Sequence, residues 1–156
     1  MDHVARYDVL SAAGSIGRRG NATGMPFLPI RLPPGADLRR ALQDGLRGRS
    51  TDSAFVVAGI GSLVEARIRY AGESAEAVLA GPLEILSLSG SLSPAGAHLH
   101  MSVSDASGRV YGGHVGQGSS IRTTAEVLLV LLPDGSLTRE LDARTGFNEL
   151  VVRRLG

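Results

Sequence analysis

The sequence predicts a compact single α+β domain with a mixed, mostly antiparallel β-sheet and few helices. Its 156 residues are about the length of one domain, and 43% of them are hydrophobic, which is enough to fill one core. Short segments of alternating apolar and polar residues, joined by brief turns, occupy most of the chain. Because helical spacing is confined to one early segment, the pattern favours an antiparallel sheet with a small helical component.

The N-terminal part of the chain differs from the rest in composition. Residues 1–24 are rich in glycine and carry few large apolar side chains, so they cannot bury enough surface to fold alone. We expect them to form an N-terminal arm that is either flexible or docked on a neighbouring subunit. Residues 25–156 then form the predicted domain.

The domain begins with a predicted strand over 27–32, which the Pro33-Pro34-Gly35 turn ends. A helix follows, because Asp37 is a suitable N-cap and apolar residues recur at helical spacing until two glycines end the pattern. The apolar positions are Leu38, Ala41, Leu42 and Leu46. The arginines of this region either coat a solvated face or contact phosphate groups together. They are Arg39, Arg40, Arg47 and Arg49.

Alternation of apolar and polar residues predicts most of the remaining strands. In chain order they cover 54–60, 64–71, 83–92, 97–104 and 109–115. The last two of these form a hairpin around the turn residues 105–108. The segment 125–132 is apolar on both faces, which is typical of a central strand that is fully covered.

The composition excludes several classes of function. The chain has no cysteine, so a metal site must use histidine or carboxylate ligands, and it has no lysine for Schiff-base chemistry. A net charge of +1 gives no overall field that would attract nucleic acid or an anionic membrane. We therefore expect a cytoplasmic protein with no membrane partner, whose direct binding to duplex DNA is weak and steeply salt-dependent.

Three of the four histidines fall in the predicted hairpin. His98 and His100 are two residues apart, so a strand points both rings to one face. A three-residue loop, with Gly108 in the left-handed conformation, would place His100 opposite His114 and bring the three rings together. A four-residue loop would instead place His114 on the opposite face.

Three neutral imidazoles can bind zinc or another divalent metal when water or a ligand completes the coordination shell. The alternative is a polar sheet face in which the histidines form hydrogen bonds without a metal, and both interpretations stay open. Glu84 and Glu126 are each either a partner that orients an imidazole or an ordinary salt-bridge residue. The glycine-rich segment 112–118 does not open a helix, so a strained turn or close backbone approach at a subunit interface explains it better than phosphate binding.

Eight short segments occur in a characteristic order between about residues 30 and 152. They are 31–38, 59–63, 81–90, 98–100, 105–108, 112–114, 124–127 and 145–150. Together they resemble the plants-and-prokaryotes-conserved (PPC) domain family. The resemblance implies a PPC-like, antiparallel-rich domain that assembles into trimers.

Plant members of this family combine the domain with AT-hook motifs, and they contact transcription factors through a Gly-Arg-Phe-Glu-Ile-Leu segment. Here residues 81–86 read Gly-Pro-Leu-Glu-Ile-Leu, and the AT-hook core Arg-Gly-Arg-Pro is absent. The chain therefore resembles the stand-alone prokaryotic members, which are often labelled DNA-binding by analogy with the plant proteins.

These observations predict a homotrimeric assembly or regulatory protein with a divalent metal site at His98, His100 and His114. Its partners would be its own copies and other proteins, with DNA contacted weakly or indirectly. The alternative is a metal-dependent enzyme that acts on a small molecule at the histidine site, although the sequence favours a non-enzymatic role. A cavity beside the histidines with a proton-transfer group in reach would favour the enzyme.

Overall fold

Eight strands and one helix make up the described part of the chain. The structure, a computed structural model, describes residues 27–49 and 51–154, so the predicted arm at 1–24 lies outside the described residues. The elements are β1 (Phe27–Leu32), α1 (Leu38–Asp44), β2 (Ala54–Arg69), β3 (Ala77–Ser93), β4 (Gly96–Asp105), β5 (Val110–Val115), β6 (Ser120–Leu131), β7 (Gly135–Leu141) and β8 (Asn148–Arg154). Over those residues, no helix is long and apolar enough to cross a membrane.

Six strands form one sheet in the order β1-β6-β2-β3-β4-β5. β2 also pairs with β5, so the four strands from β2 to β5 close on themselves. Every pairing between described strands is antiparallel, which corrects the prediction of a mixed sheet. The reason is the connections: parallel neighbours need a crossover of a dozen or more residues, and most of these strands are joined by short turns.

The long strand β2 replaces two predicted strands, 54–60 and 64–71. The break in alternation between them is an irregularity of pairing rather than a turn, because the register shifts on both sides of Leu63. Gly61 has a φ of 152°, and a Cβ there would lie 2.5 Å from the carbonyl oxygen of Thr124. Glycine therefore lets β2 continue past β6 at a point where a side chain would push the two strands apart.

The hairpin of β7 and β8 has no counterpart in the sequence prediction. These strands form a separate two-stranded sheet, and Leu137 is their one fully buried side chain. Most of the other side chains in the hairpin are partly or fully exposed, so the apolar alternation that identifies a half-buried strand is weak here.

The helix α1 is held by its predicted cap and by one of its arginines. The Asp37 carboxylate accepts a hydrogen bond from the Arg40 amide at 3.0 Å, and Leu38 and Leu42 are buried. Arg39 donates from its guanidinium to the carbonyl oxygens of Val115 and Ala97, both at 2.7 Å. Arg39 thus fastens the helix to β4 and β5 and is not part of a solvated face.

The outer face of the sheet beside Leu128 and Val130 of β6 is apolar and only partly covered. Val130 lies between Phe27 and Phe55 in register, and Leu128 lies between Pro29 and Ala58. On the other face of β6, Ala125, Val127 and Leu129 are buried in the core. The prediction of a fully covered strand over 125–132 is therefore wrong for a single chain, because Leu128 and Val130 are only partly buried and Glu126 is exposed.

We predict that Gly90→Ala destabilises the fold at the strand that carries His98. Gly90 has a φ of 143°, and a Cβ added there would collide with the carbonyl oxygen of His98. We expect the free energy of unfolding to fall by about 3 kcal/mol or more in chemical denaturation. Gly135→Ala is the control, since its Cβ would meet its nearest neighbour at an ordinary 3.5 Å; equal losses for both variants would contradict the prediction.

Candidate metal centre

The turn between β4 and β5 sets which residues face each other in the hairpin. The Asp105 amide donates to the Arg109 carbonyl at 3.0 Å, and the Gly108 amide donates to the Asp105 carbonyl at the same distance. Gly108 has a φ of 78°, as the bulged three-residue loop requires. Ser104 consequently pairs with Val110, and His100 pairs with His114. The predicted loop and register are both confirmed.

The Asp105 carboxylate stabilises this turn. Its Oδ1 accepts hydrogen bonds from the Ser107 amide (2.9 Å), the Ser107 hydroxyl (2.7 Å) and the Arg109 amide (3.0 Å). Its Oδ2 accepts one from Arg109 Nε at 2.9 Å. These bonds, above all that from the Ser107 hydroxyl, hold the pKa of Asp105 well below its ordinary value. The side chain is thus an ionised acceptor that closes the loop on itself.

The three imidazoles converge on the outer face of the hairpin. His98 Nε2 lies 3.2 Å from His100 Nε2, which in turn lies 3.0 Å from His114 Nδ1. One ring nitrogen from each residue falls within 4.8 Å of the other two. The sequence prediction that the three rings share one face is therefore correct.

The two nitrogen–nitrogen distances of 3.2 and 3.0 Å are compatible with ligands that share one tetrahedral metal ion. Zinc binds imidazole nitrogen at about 2.0–2.1 Å, so two nitrogen ligands on a tetrahedral ion lie about 3.3 Å apart. A neutral ring nitrogen carries either one proton or one lone pair, so His100 Nε2 cannot form two good hydrogen bonds at once. A metal ion would instead accept one nitrogen lone pair from each of the three rings.

Two of the three imidazoles are biased toward the neutral form that binds metal. Burial, followed by the nearby Arg139 guanidinium, lowers the pKa of His98 below its ordinary value. Burial, followed by Arg69, does the same to the pKa of His114. Both rings therefore resist protonation, and protonation is what would compete with a metal ion.

Neither candidate carboxylate reaches the histidines. Glu84 is exposed and lies opposite Ser104, four residues along β4 from His100. Glu126 is also exposed and lies on β6 opposite Arg31. In the strand order, β2 and β3 separate β6 from the hairpin strand β4. Of the two alternatives left open for these residues, the one in which a carboxylate orients an imidazole is not observed, because the hydrogen bonds of the three rings within the described residues join them only to one another.

The glycines before His114 allow β5 to close against β2. A Cβ on Gly113 would lie 2.6 Å from the Arg69 carbonyl oxygen, so this position requires glycine. The resulting contact pairs Arg69 with His114. The close backbone approach at Gly113 therefore lies between two strands of the same chain, and not at a subunit interface as the sequence suggested.

An open cavity of about 430 Å³ adjoins the imidazoles of His98 and His114. Its other charged lining residues are Arg39, Arg69, Arg139 and Glu76. Sequence reasoning named Arg39 only as one of several helical arginines that could contact phosphate, and it missed Arg69, Glu76 and Arg139, which come from β2, the loop before β3, and β7. Arg69 had a detectable signal, because it alternates with apolar residues on a strand, but only the β2–β5 pairing reveals what it faces.

The fold and the site define a small antiparallel β-domain with three converging histidines beside a cavity that arginines line. The chain belongs to the Plants and Prokaryotes Conserved (PCC) domain family, whose model matches residues 19–133. The resemblance derived from the ordered segments is thereby confirmed.

Relatives of known sequence and structure support this assignment. The chain is 42% identical over 129 residues to the bifunctional protein GlmU of a Synechococcus strain, covering 83% of this chain but a fifth (20%) of that protein. It is similar to a hypothetical protein from Salmonella, with a TM-score of 0.80 and 34% identity over 87% of this chain and 99% of the other. A metal-containing protein from Archaeoglobus fulgidus matches with a TM-score of 0.69 and 29% identity, over 80% and 92%.

We predict that Asp105→Ala weakens zinc binding although Asp105 is not a ligand. Removing the carboxylate takes away four hydrogen bonds of the loop that sets His100 opposite His114. We expect zinc affinity, measured by competition with a chromophoric chelator, to fall about tenfold, as it does when residues that support metal ligands are lost. Asp105→Asn, which keeps an oxygen acceptor, should lose less; an alanine variant with wild-type affinity would contradict the prediction.

Proposed function

We propose that this protein is a cytoplasmic, homotrimeric assembly or regulatory module of the family, which binds a divalent metal ion through His98, His100 and His114. The observation that carries the proposal is the convergence of three imidazole nitrogens on one face of the hairpin. The metal would hold β4 and β5 together at the surface of the module.

Zinc is the metal that this ligand set suits best. Three neutral imidazoles with no thiolate match zinc sites that leave a fourth position for water or a ligand. Copper, nickel and cobalt also accept imidazole, so metal analysis decides among them. The metal-containing description of the Archaeoglobus relative, at 29% identity, supports a metal in this chain as well.

We predict that replacing any one of the three histidines with alanine removes most zinc affinity while the protein stays folded. Two imidazoles cannot hold zinc against water, and the loss of a ligand should exceed the 10–100-fold typical of a supporting residue, so we expect more than about 100-fold. Isothermal titration calorimetry with zinc measures the affinity, and elemental analysis measures the metal content.

Ser102, two residues from His100 on the same face of β4, offers a matched control for these variants. Its hydroxyl lies 2.7 Å from that of Ser87, so Ser102→Ala changes the same strand face without removing an imidazole and should leave zinc affinity unchanged. Two results would overturn the metal site: wild-type protein that binds no divalent metal, or a His100→Ala variant that binds zinc as tightly as the wild type.

The partly exposed apolar face around β6 supports assembly into trimers. Ile60 and Leu86 are 57% and 52% exposed, close to the apolar rows formed by β1, β6 and β2. Apolar side chains grouped on one sheet face are typical of a surface that a partner covers. The number three comes from the family resemblance.

We predict a trimer at micromolar concentration, which Ile60→Glu converts to monomer. The new carboxylate would lie opposite Glu126 and would have to be buried in the interface, where charge is costly. Sedimentation velocity measures the mass. Leu141→Glu is the control, since Leu141 is 73% exposed on the β7–β8 hairpin and should tolerate the charge. A wild-type protein that stays monomeric would contradict the proposal.

Contact with DNA, on this proposal, is weak or passes through partner proteins. Phosphate contacts supply most non-specific affinity, and a net charge of +1 offers little excess of cations. In α1 and the turn after it, Arg40 and Arg47 each form an ion pair with Asp44. This pairing reduces the positive charge that the helical arginines could present to a duplex.

A metal-dependent enzyme is the second candidate function. Glu76 lines the same cavity as His98 and His114, so a carboxylate that could transfer protons shares a concave site with two of the proposed ligands. A metal at the three histidines would supply Lewis-acid activation of water or of a bound carbonyl or phosphate group. If Glu76→Gln loses catalytic turnover while its metal content stays unchanged, the result would favour the enzyme over the binding module.

A further inference from the structure

The cavity beside the histidines has an unusual charge distribution. Arg39, Arg69 and Arg139 line it, and Glu76 is the one carboxylate in its lining. Six other arginines in the described chain each form an ion pair with an aspartate or glutamate. Within residues 27–49 and 51–154, none of the three cavity arginines has such an ion pair, so positive charge is concentrated beside the imidazoles.

Hydrogen bonds fix the three guanidinium groups without neutralising them. Arg39 donates to two backbone carbonyls, and its buried Nε has no hydrogen-bond partner among the described residues. Arg69 donates to the Glu73 carbonyl at 3.1 Å. Arg139 donates to the Ser91 hydroxyl at 3.2 Å. Because these partners are neutral groups, each arginine keeps its charge and has further donors for a ligand.

The positions of two arginines relate them directly to the proposed metal ligands. Arg69 is the register partner of His114 across the β2–β5 contact. Arg139 binds Ser91, which is the register partner of His98.

We propose that this cavity binds a small oxyanion, a molecule that carries a carboxylate or phosphate group, through Arg39, Arg69 and Arg139. Arginine presents planar donors that match the oxygens of both groups and can bind them in pairs. The volume of about 430 Å³ is that of a small-molecule site.

The same ligand can also reach the metal. Three histidine ligands leave a fourth coordination position, and the cavity includes two of those histidines, so an oxygen of the ligand fills that position. This metal contact rests on the proposed metal centre, whereas the arginine contacts do not.

A second cavity in the described chain provides a comparison. It has a volume of about 540 Å³ and is lined by Arg47, Arg49 and Asp52 among others. There Arg47 forms an ion pair with Asp44 at 3.0 Å, and Arg49 donates its Nε to the Gly45 carbonyl. With one arginine paired and a carboxylate in the lining, this larger cavity lacks the excess of positive charge found beside the histidines.

Calorimetric titration with two probes, inorganic phosphate and malonate, tests the proposal. Each probe is added to zinc-loaded protein and to metal-stripped protein, and the metal content of both samples is measured. We expect at least one probe to bind both samples, more tightly when zinc is present. The stronger probe then identifies the oxyanion as a phosphate or a carboxylate.

Variants at the cavity arginines locate the binding. Arg69→Gln and Arg139→Gln should each weaken it by about tenfold or more, since each removes charge-assisted donors. Arg139→Lys keeps the charge and should lose less, which separates charge from folding effects. Arg47→Gln, in the other cavity, should bind as the wild type does. Arg39 is left unchanged because it also anchors α1.

The outcomes separate this proposal from the metal centre. Protein that binds zinc but neither probe would overturn the oxyanion site and leave the metal centre intact. Protein that binds a probe through Arg69 and Arg139 but takes up no zinc would support the oxyanion site and overturn the metal centre. Wild-type binding by both glutamine variants would show that the probes bind elsewhere and would also overturn the proposal.

Discussion

The register between β4 and β5 is the constraint on which the site depends. A shift of one residue would turn His114 to the opposite face of the hairpin and leave two imidazoles where three now meet. Register is fixed locally, by the left-handed Gly108 and by the Asp105 carboxylate, which accepts hydrogen bonds from Ser107 and Arg109. A solvent-exposed loop thus determines the geometry of a cluster that begins five residues from the Asp105–Arg109 pair along each strand.

The rest of the fold fixes the position of the β4–β5 hairpin, because the strands from β2 to β5 close on themselves. Gly113 lets the β5 backbone approach Arg69 on β2, and Arg39 joins α1 to the ends of both hairpin strands through Val115 and Ala97. These contacts are backbone-directed, so they locate the hairpin without using the imidazoles. The side chains of the site therefore remain available for ligands.

Local features of the site were predictable from sequence, and long-range ones were not. The hairpin register follows from four loop residues, and the convergence of His98, His100 and His114 follows from that register. The cavity arginines could not be assigned in this way, because they come from three elements whose neighbours depend on non-local pairing. The same limit explains why β2 was predicted as two strands. A bulge beside Gly61 and a turn between two strands interrupt the alternation of apolar and polar residues in similar ways.

The cavity arginines and the proposed metal centre are electrostatically compatible when an anionic ligand lies between them. Guanidinium groups repel a divalent cation, and in a partly desolvated cavity that repulsion is stronger than in water. An oxyanion between the guanidinium groups and the metal ion attracts both, so its negative charge offsets their mutual repulsion. Thermodynamic linkage then requires each of the two ligands to raise the affinity of the other by the same factor. On this proposal, the charges that would weaken a metal site alone would instead make metal binding responsive to a small anionic molecule, which is the behaviour expected of a regulatory module.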